Sequence, residues 1–566
     1  CRMSLKHILL AVLVGLPLAR PSIAEIPDGP ITLEQCIKIA LENNLNLRVT
    51  NYQPRLSKLN LDGVYSAYDP NLSLRLNEGN SVRKARVNPL EFTSPTSETD
   101  SFFQNFGLSG LLPSNTSYGI SLRGSESTGA SSDGTPFGSY GTSLDFNLTQ
   151  PLLRGAWSGN SVRMNIKMAK KNVEASSLDV KSQIIQTIAS VESAFYNLLA
   201  DRQNLTIAEN SLKNAQEDLR IMKIKTEVGT EAKTRLPQLE AEVYSRQASL
   251  ISVKNSFTTQ LNTLKSLMSD EFAEVIDKDF SPVGQLNPVQ TVFSRSYSWD
   301  KALNTRPDIL KSAISLERAD ITLKYRKNQL YPQLDLNASY GFSGADNAEM
   351  GFINRIDGKV LDRPIANPLY NPIVERELEI GSGVWRKGPK NPDLPIDNRR
   401  FLPSTPFISR DASFNRSFRD IQDGDYSNYN VGITLRIPIP NRAARANYKT
   451  AQVQKEISLL QHKQLEQSIM INIDSLIRSA ESSFERIEAT RLARVSGELA
   501  VQNERTLRDE GASTDFVVLR AERDLTSRRY SEIRAKADYM IALVRLTEAE
   551  GSILDKHGIN VEFVEE

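Results

Sequence analysis

The chain repeats itself around proline. "ALENNLNLRV" opens at Ala40 and thirty residues later reaches Pro70 in "AYDPNLSLRL"; "ALNTRPDILK" opens at Ala302 and reaches Pro332 in "LYPQLDLNAS" after the same interval. In both copies a helix-like segment gives way to alternating apolar and polar residues. "SLDFNLTQPLLRG" (143–155) and "NVGITLRIPIPNR" (430–442) alternate in the same way and stop at Pro151 and Pro438, each before a very long helical segment. Proline fixes φ, ends a preceding helix, and is tolerated at a strand's first residue or a helix's first turn. The four prolines therefore mark four helix–strand junctions, two entering strands and two leaving them, with no loop expected between helix and strand. The chain must build strands in series with helices, twice.

The helical segments carry coiled-coil spacing. Ile184, Ile188, Val191, Phe195 and Leu198 follow 4-3-4-3 steps, and Leu205, Leu212 and Leu219 continue at seven. Phe516, Leu519, Thr526, Tyr530, Ile533, Ala537, Met540 and Val544 do likewise, with Arg523 as a break. Such stripes are packing positions, and their length implies helices wrapped on helices. The outgoing helices, over 153–228 and 440–510, close at "EVGTEAKT" (227–234) and "DEGASTDF" (509–516), and return helices follow over 232–269 and 513–550. At about 1.5 Å per residue the first outgoing helix is about 110 Å long. Each return helix is about half that, and the helices at about 31–67 and 296–330 make up the difference. The organisation is a first repeat over 25–269, a linker over 270–295, a second repeat over 296–552 and a tail over 553–566.

Six alternating segments read as strands: 70–80, 102–112, 116–124, 141–151, 332–342 and 429–438. Segments of about nine to eleven residues with one apolar and one polar face suit membrane-crossing β-strands, the only alternative to helices in lipid. Beyond the N-terminus no run of about 18 apolar residues exists to form a membrane helix. Arg2, Lys6 and His7, the apolar Ile8 to Leu16, and "SIA" before Glu25 predict an export signal over 1–24. Cleavage there removes Cys1 and leaves Cys36, on an amphipathic helix, as a buried structural thiol without a disulfide partner. Lys+Arg 69 against Asp+Glu 68 gives a net charge of +1, which removes the electrostatic case for nucleic acid. Residues 343–428 are rich in proline, Asn, Asp and Arg and read as a long irregular surface loop, with Tyr370, Trp385 and Phe401 available to a partner.

Chemistry is sparse. The three histidines, His7, His462 and His557, show no metal-ligand spacing, and no phosphate loop, dinucleotide turn or nucleophile elbow is present. An enzyme, a bound metal and a cofactor are not expected.

Prolines at strand–helix junctions, paired halves, helices that double back at "VGT", and "RPDI" (306–309) resemble the TolC-like outer membrane efflux proteins over about 31–550. The resemblance implies an α+β membrane protein and a homotrimer. Its outer-membrane β-barrel is continuous with a periplasmic α-helical coiled-coil barrel, and each protomer holds two structural repeats. It implies docking to a periplasmic adaptor (membrane fusion) protein and an inner membrane RND pump or ABC exporter. The docking tips map onto Val228, Gly229 and Thr230 and onto Gly511, Ala512 and Ser513. Positions where some members carry an acidic gate ring fall at Val517 and Arg520, with Asp515 nearby and Arg235 in the first half. A basic constriction of Arg520, Arg235 and Arg508 follows from that mapping. The family pattern has four strands per protomer, and the hairpin around "LLPSNTS" departs from it. Two other readings stay open. A non-membrane coiled-coil scaffold or periplasmic adaptor leaves six strands unexplained, and an exported hydrolase on 343–428 lacks any constellation.

Overall fold

A computed structural model describes residues 29–84, 97–131, 135–230, 232–354, 358, 360–361, 376–378, 385–387 and 404–559. The expected signal over 1–24, Tyr370, Phe401 and the end of the tail lie outside them. The helices are α1 (Leu33–Asn43), α2 (Leu45–Tyr65), α3 (Ser161–Glu227), α4 (Leu236–Met268), α5 (Phe272–Val275), α6 (Arg295–Thr305), α7 (Pro307–Asn328), α8 (Phe414–Asp423), α9 (Arg442–Asp509), α10 (Asp515–Glu550) and α11 (Ile553–Lys556). The strands are β1 (Gly29–Ile31), β2 (Asn71–Arg83), β3 (Ser97–Leu111), β4 (Ser117–Ala130), β5 (Pro136–Pro151), β6 (Phe280–Pro282), β7 (Gln333–Asn347), β8 (Glu349–Asn354), β9 (Val360–Leu361), β10 (Arg376–Leu378), β11 (Trp385–Lys387), β12 (Ser404–Arg410) and β13 (Ser427–Arg436). No described helix is long and apolar enough to cross a membrane. The chain divides into two units, residues 1–60, 169–319 and 454–566 in one, and 61–168 and 320–453 in the other.

The helical unit holds the apolar core. Ile188, Val191, Phe195 and Leu198 are buried, packed with Cys36, Leu264, Met268, Ala537 and Val544. Burial pushes the Cys36 thiol up to about 12. A second cluster joins Ala302, Ile309, Ile469, Ile473, Ile477 and Leu546. One heptad position fails: Phe516, in the first turn of α10, is exposed. The single helices read over 31–67 and 296–330 are each two. Asn44 is extended, caps Leu47 N–H with its Oδ1 at 3.1 Å and donates to the Leu267 carbonyl at 2.9 Å, so α1 ends and α2 begins on one side chain. Arg306 is extended because Pro307 follows it, and its guanidinium donates to the Ala549 carbonyl at 2.9 Å. The "RPDI" phrase is thus a helix break clipped to the end of α10. The linker over 270–295 is partly ordered, with α5 and with β6 pairing parallel to β1.

The other unit holds a six-stranded antiparallel sheet ordered β13-β7-β5-β4-β3-β2, open at both edges. Its register aligns apolar rows across the strands: Leu74–Phe106–Leu122–Leu144–Phe342, then Leu72–Leu108–Ile120–Phe146–Tyr340–Tyr429. The opposite face carries Arg75, Asn105, Arg123, Ser143, Asp145 and Asn337, because successive side chains alternate. The strands outrun the expected bounds. β3 starts at Ser97 instead of 102, and β4 reaches Ala130 instead of 124. Ser, Thr and Gly beyond the apolar stretch keep the backbone ladder without continuing the alternation that reveals a strand in sequence.

Two expectations are corrected. Residues 343–428 are not one irregular loop. β7 continues to Asn347, β8 pairs with β12 and β9, and α8 packs on the sheet unit before β13. Nor do the four junctions all lack a loop. Pro151 ends β5, but residues 152–160 form a turn before α3, with Gly155 at φ 81. Asn115 Nδ2 donates to the Gly155 carbonyl at 2.8 Å and Gly155 N–H donates to Asn328 Oδ1 at 2.8 Å, so side chains satisfy the turn's backbone. Pro332 directly precedes β7 and Pro70 directly precedes β2, whereas Pro438 follows β13 by one residue.

Candidate functional site

The two helix reversals close in the same way. After α3, Thr230 N–H donates to the Lys225 carbonyl at 2.9 Å and Gly229 N–H to Thr226 at 3.2 Å. After α9, Ala512 N–H donates to Leu507 at 2.7 Å and Gly511 N–H to Arg508 at 3.0 Å. Both are Schellman closures, which need a left-handed residue at the fifth position. Gly229 at φ 84 and Gly511 at φ 78 supply it. A Cβ on either would meet nothing within 4 Å, so conformation and not space demands glycine there.

Beyond the turns the returning chain brings charges together. Arg235 Nη1 lies 3.3 Å from Asp515 Oδ2, and Arg508 Nη1 lies 3.8 Å from Asp515 Oδ1. Asp515 also sits in the first turn of α10, where the exposed N–H groups favour an anion. Arg235 is about half exposed, so this pair orients side chains more than it stabilises the fold. Ser513 Oγ donates to Glu504 Oε2 at 2.7 Å. A cavity of about 490 Å³ lies here, lined by Asp218, Met222, Arg235, Arg508 and Asp515 among others. Burial, reinforced by Glu522, pushes the Asp218 carboxyl upward.

Arg235, Arg508 and Asp515 are therefore one cluster. Val517 and Arg520 point elsewhere: both are exposed, and Arg520 makes no ion pair among the described residues. Of the three arginines, two share the Asp515 carboxylate, which offsets part of their charge. Val228 is 73 % exposed and Phe516 56 %, which puts uncovered apolar side chains beside both reversals.

Sequence reasoning missed Glu242. It is buried, with Arg246 Nε at 2.7 Å on one oxygen and Arg523 Nε at 2.9 Å on the other. Arg523 had looked like a flaw in the α10 heptad; it is the partner of a buried acid on α4, and the heptad break was the available signal. Arg494 and Arg529 share Glu498 in a similar way along α9 and α10.

A sheet with one apolar face, linked in sequence to paired helical hairpins, defines a class of envelope protein. The outer membrane efflux protein family model matches residues 110–269 and 402–552, more than half of the chain, and the chain belongs to that family. Among curated relatives it is 26 % identical over 212 residues to the pyoverdine export outer membrane protein OpmQ of Pseudomonas putida, covering 36 % of this chain and 42 % of that protein. The chain thus spans about two fifths of that relative's length. Among solved structures it is similar to a membrane protein from Pseudomonas aeruginosa, with a TM-score of 0.59 and 15 % identity over 92 % of this chain and 90 % of that one. It is also similar to the Campylobacter jejuni CmeC outer membrane channel, with a TM-score of 0.57 and 15 % identity over 94 % and 90 %. At these identities the likeness concerns the fold.

Proposed function

We propose that this protein is the outer membrane exit duct of a tripartite efflux or type I secretion system, passing substrates from a periplasmic adaptor and an inner membrane RND pump or ABC exporter to the exterior. The observation that carries the reading is the open six-stranded sheet with one continuous apolar face. Edges β13 and β2 leave a row of N–H and C=O groups that lipid cannot satisfy, so pairing with further copies is required. Three protomers close a barrel of about 18 strands, the size that leaves an aqueous channel. The exposed stripe Leu45, Val49, Tyr52, Leu56 and Leu59 on α2 repeats at coiled-coil spacing and supports a helix from a neighbouring copy covering it. The matching Schellman reversals support two repeats per protomer, at 25–269 and 296–552, with the helices in the periplasm.

In this reading Val228, Gly229, Thr230, Gly511, Ala512 and Ser513 are the adaptor-docking surface, and the uncovered Val228 and Phe516 offer it apolar anchors. Asp515 is the centre of the periplasmic gate and holds Arg235 and Arg508, while Val517 and Arg520 are outlying members. Transport is passive here and conformational, without catalysis or a cofactor. The test is extraction from outer membranes followed by mass measurement and planar-bilayer recording. A detergent-stable trimer that conducts is expected; recovery as a monomer from the soluble periplasm would overturn the proposal.

A further inference from the structure

The rows that are apolar on all of β2, β3, β4, β5 and β7 stop at one line, beyond which polar residues and glycine enter. The next row on the same face is Leu76–Gln104–Gly124–Thr142–Gly344, and the one after it is Glu78–Phe102–Glu126–Tyr140–Asp346. α8 lies across these two rows over β5 and β7. Its Ser417 is fully buried, with Thr142 Oγ1 2.9 Å from the Ser417 carbonyl and 2.6 Å from its hydroxyl. A Cβ on Gly344 would lie 1.9 Å from that carbonyl oxygen, so glycine is what lets the helix lie down. Ser413 N–H and Arg416 Nε both donate to Asp346 Oδ2 at 2.8 Å, and Ala345 N–H donates to Asp420 Oδ2 at 3.2 Å. Phe414 packs edge-on against Tyr140 and stacks on Phe418.

The face matters. α8 sits on the side of Leu144, Tyr340 and Phe342, opposite the side of Ser143, Asp145 and Asn337. It is outside any barrel whose lumen is polar, so it is not a plug. Its own outward side carries Asn415, Arg419, Gln422 and Asp423, and hydrocarbon would reject the Arg alone by about 2–4 kcal/mol at mid-depth. The hydrocarbon must therefore end where α8 begins. Leu334 to Phe342 along β7, at about 3.3 Å per residue and a tilt of about 40°, gives a band about 20 Å tall below it.

We propose that α8 is a membrane-boundary shelf: it lies in the headgroup layer at the end of the sheet where β7 reaches Asn347, and Arg419 meets lipid phosphate there. Arg419 is exposed and has no ion-pair partner among the described residues. The aromatic trio Tyr140, Phe414 and Phe418 sits at the depth where aromatic belts are enriched. The inference rests on reading the apolar face as the lipid face, and the experiment separates the two.

The full chain, with Cys1 and Cys36 changed to Ser, is labelled with a nitroxide at Gln422→Cys or, in a second sample, at Ile433→Cys, and reconstituted into phosphatidylcholine–phosphatidylglycerol vesicles. Collision with oxygen and with a water-soluble nickel chelate reads depth. The expected result is headgroup depth at 422 and hydrocarbon depth at 433. An aqueous or hydrocarbon value at 422 with 433 in hydrocarbon overturns the shelf alone; an aqueous value at 433 overturns the membrane reading itself. For the phosphate contact, Arg419→Gln should reduce the preference for spin-labelled phosphatidylglycerol over phosphatidylcholine by about fivefold. An unchanged preference overturns it.

Discussion

Glu192 is a buried acid whose loss should be felt in one definable place. It lies on α3 with no exposed surface, and Lys556 Nζ reaches its two oxygens at 2.8 and 3.1 Å. His557 Nε2 lies 2.6 Å from Oε1. An ionised carboxylate only accepts, so that nitrogen carries the proton. Burial alone would push the Glu192 carboxyl up, but the hydrogen bonds and charges of His557 and Lys556 outweigh it and hold the group below its ordinary value. Glu192→Gln keeps the shape and removes the charge. A hydrogen bond to a charged group contributes about 1.5–3 kcal/mol, and Lys556, being 40 % exposed, can turn to water, so about 1.5–3 kcal/mol is expected for the whole cluster. The effect is local: α11 and residues to 559 lose their ionic tie to α3 and keep the packing of Ile553 and Leu554. Amide exchange over 552–559 should accelerate by roughly 10- to 100-fold while Ile188 and Leu198 stay protected. The sign with pH follows. A depressed carboxyl stabilises fully above its unfolded value of about 4.5, and the protection fades as pH falls through the lower folded value. Unchanged exchange at 552–559 in Glu192→Gln would refute the reasoning.

Gly229→Val and Gly511→Val should each cost about 1–2 kcal/mol locally by forcing a β-branched residue to positive φ, with no clash, and the double variant should lose adaptor cross-linking and export while still forming trimers in the membrane. Full export in the double variant would count against the docking assignment. Asp515→Asn removes the carboxylate shared by Arg235 and Arg508; stability should fall by no more than about 0.2–1 kcal/mol, whereas closed-state conductance in planar bilayers should rise. A conductance equal to the parent's argues that the cluster is not a gate. Leu56→Glu, in the exposed α2 stripe, should shift detergent-solubilised trimer toward monomer in sedimentation, and an intact trimer would mean that no neighbouring copy covers the stripe.

The alternating segments, the helix reversals and their glycines were legible because each rests on local chemistry: a period of two, a period near 3.5, and a left-handed cap. Six strands could be read, but their ends could not, since Ser97 and Ala130 pair through backbone that any residue offers. Tertiary structure decided the rest. It showed that Arg523 is the partner of buried Glu242, that Arg235 and Arg508 converge on Asp515, and that Pro151 opens a turn satisfied by Asn115 and Asn328. It also placed α8, hidden within residues 343–428, against the edge of the apolar face. Periodicity tells which way a side chain faces along its own element. Which groups meet across elements hundreds of residues apart depends on register and packing, and those exist only once the chain has folded.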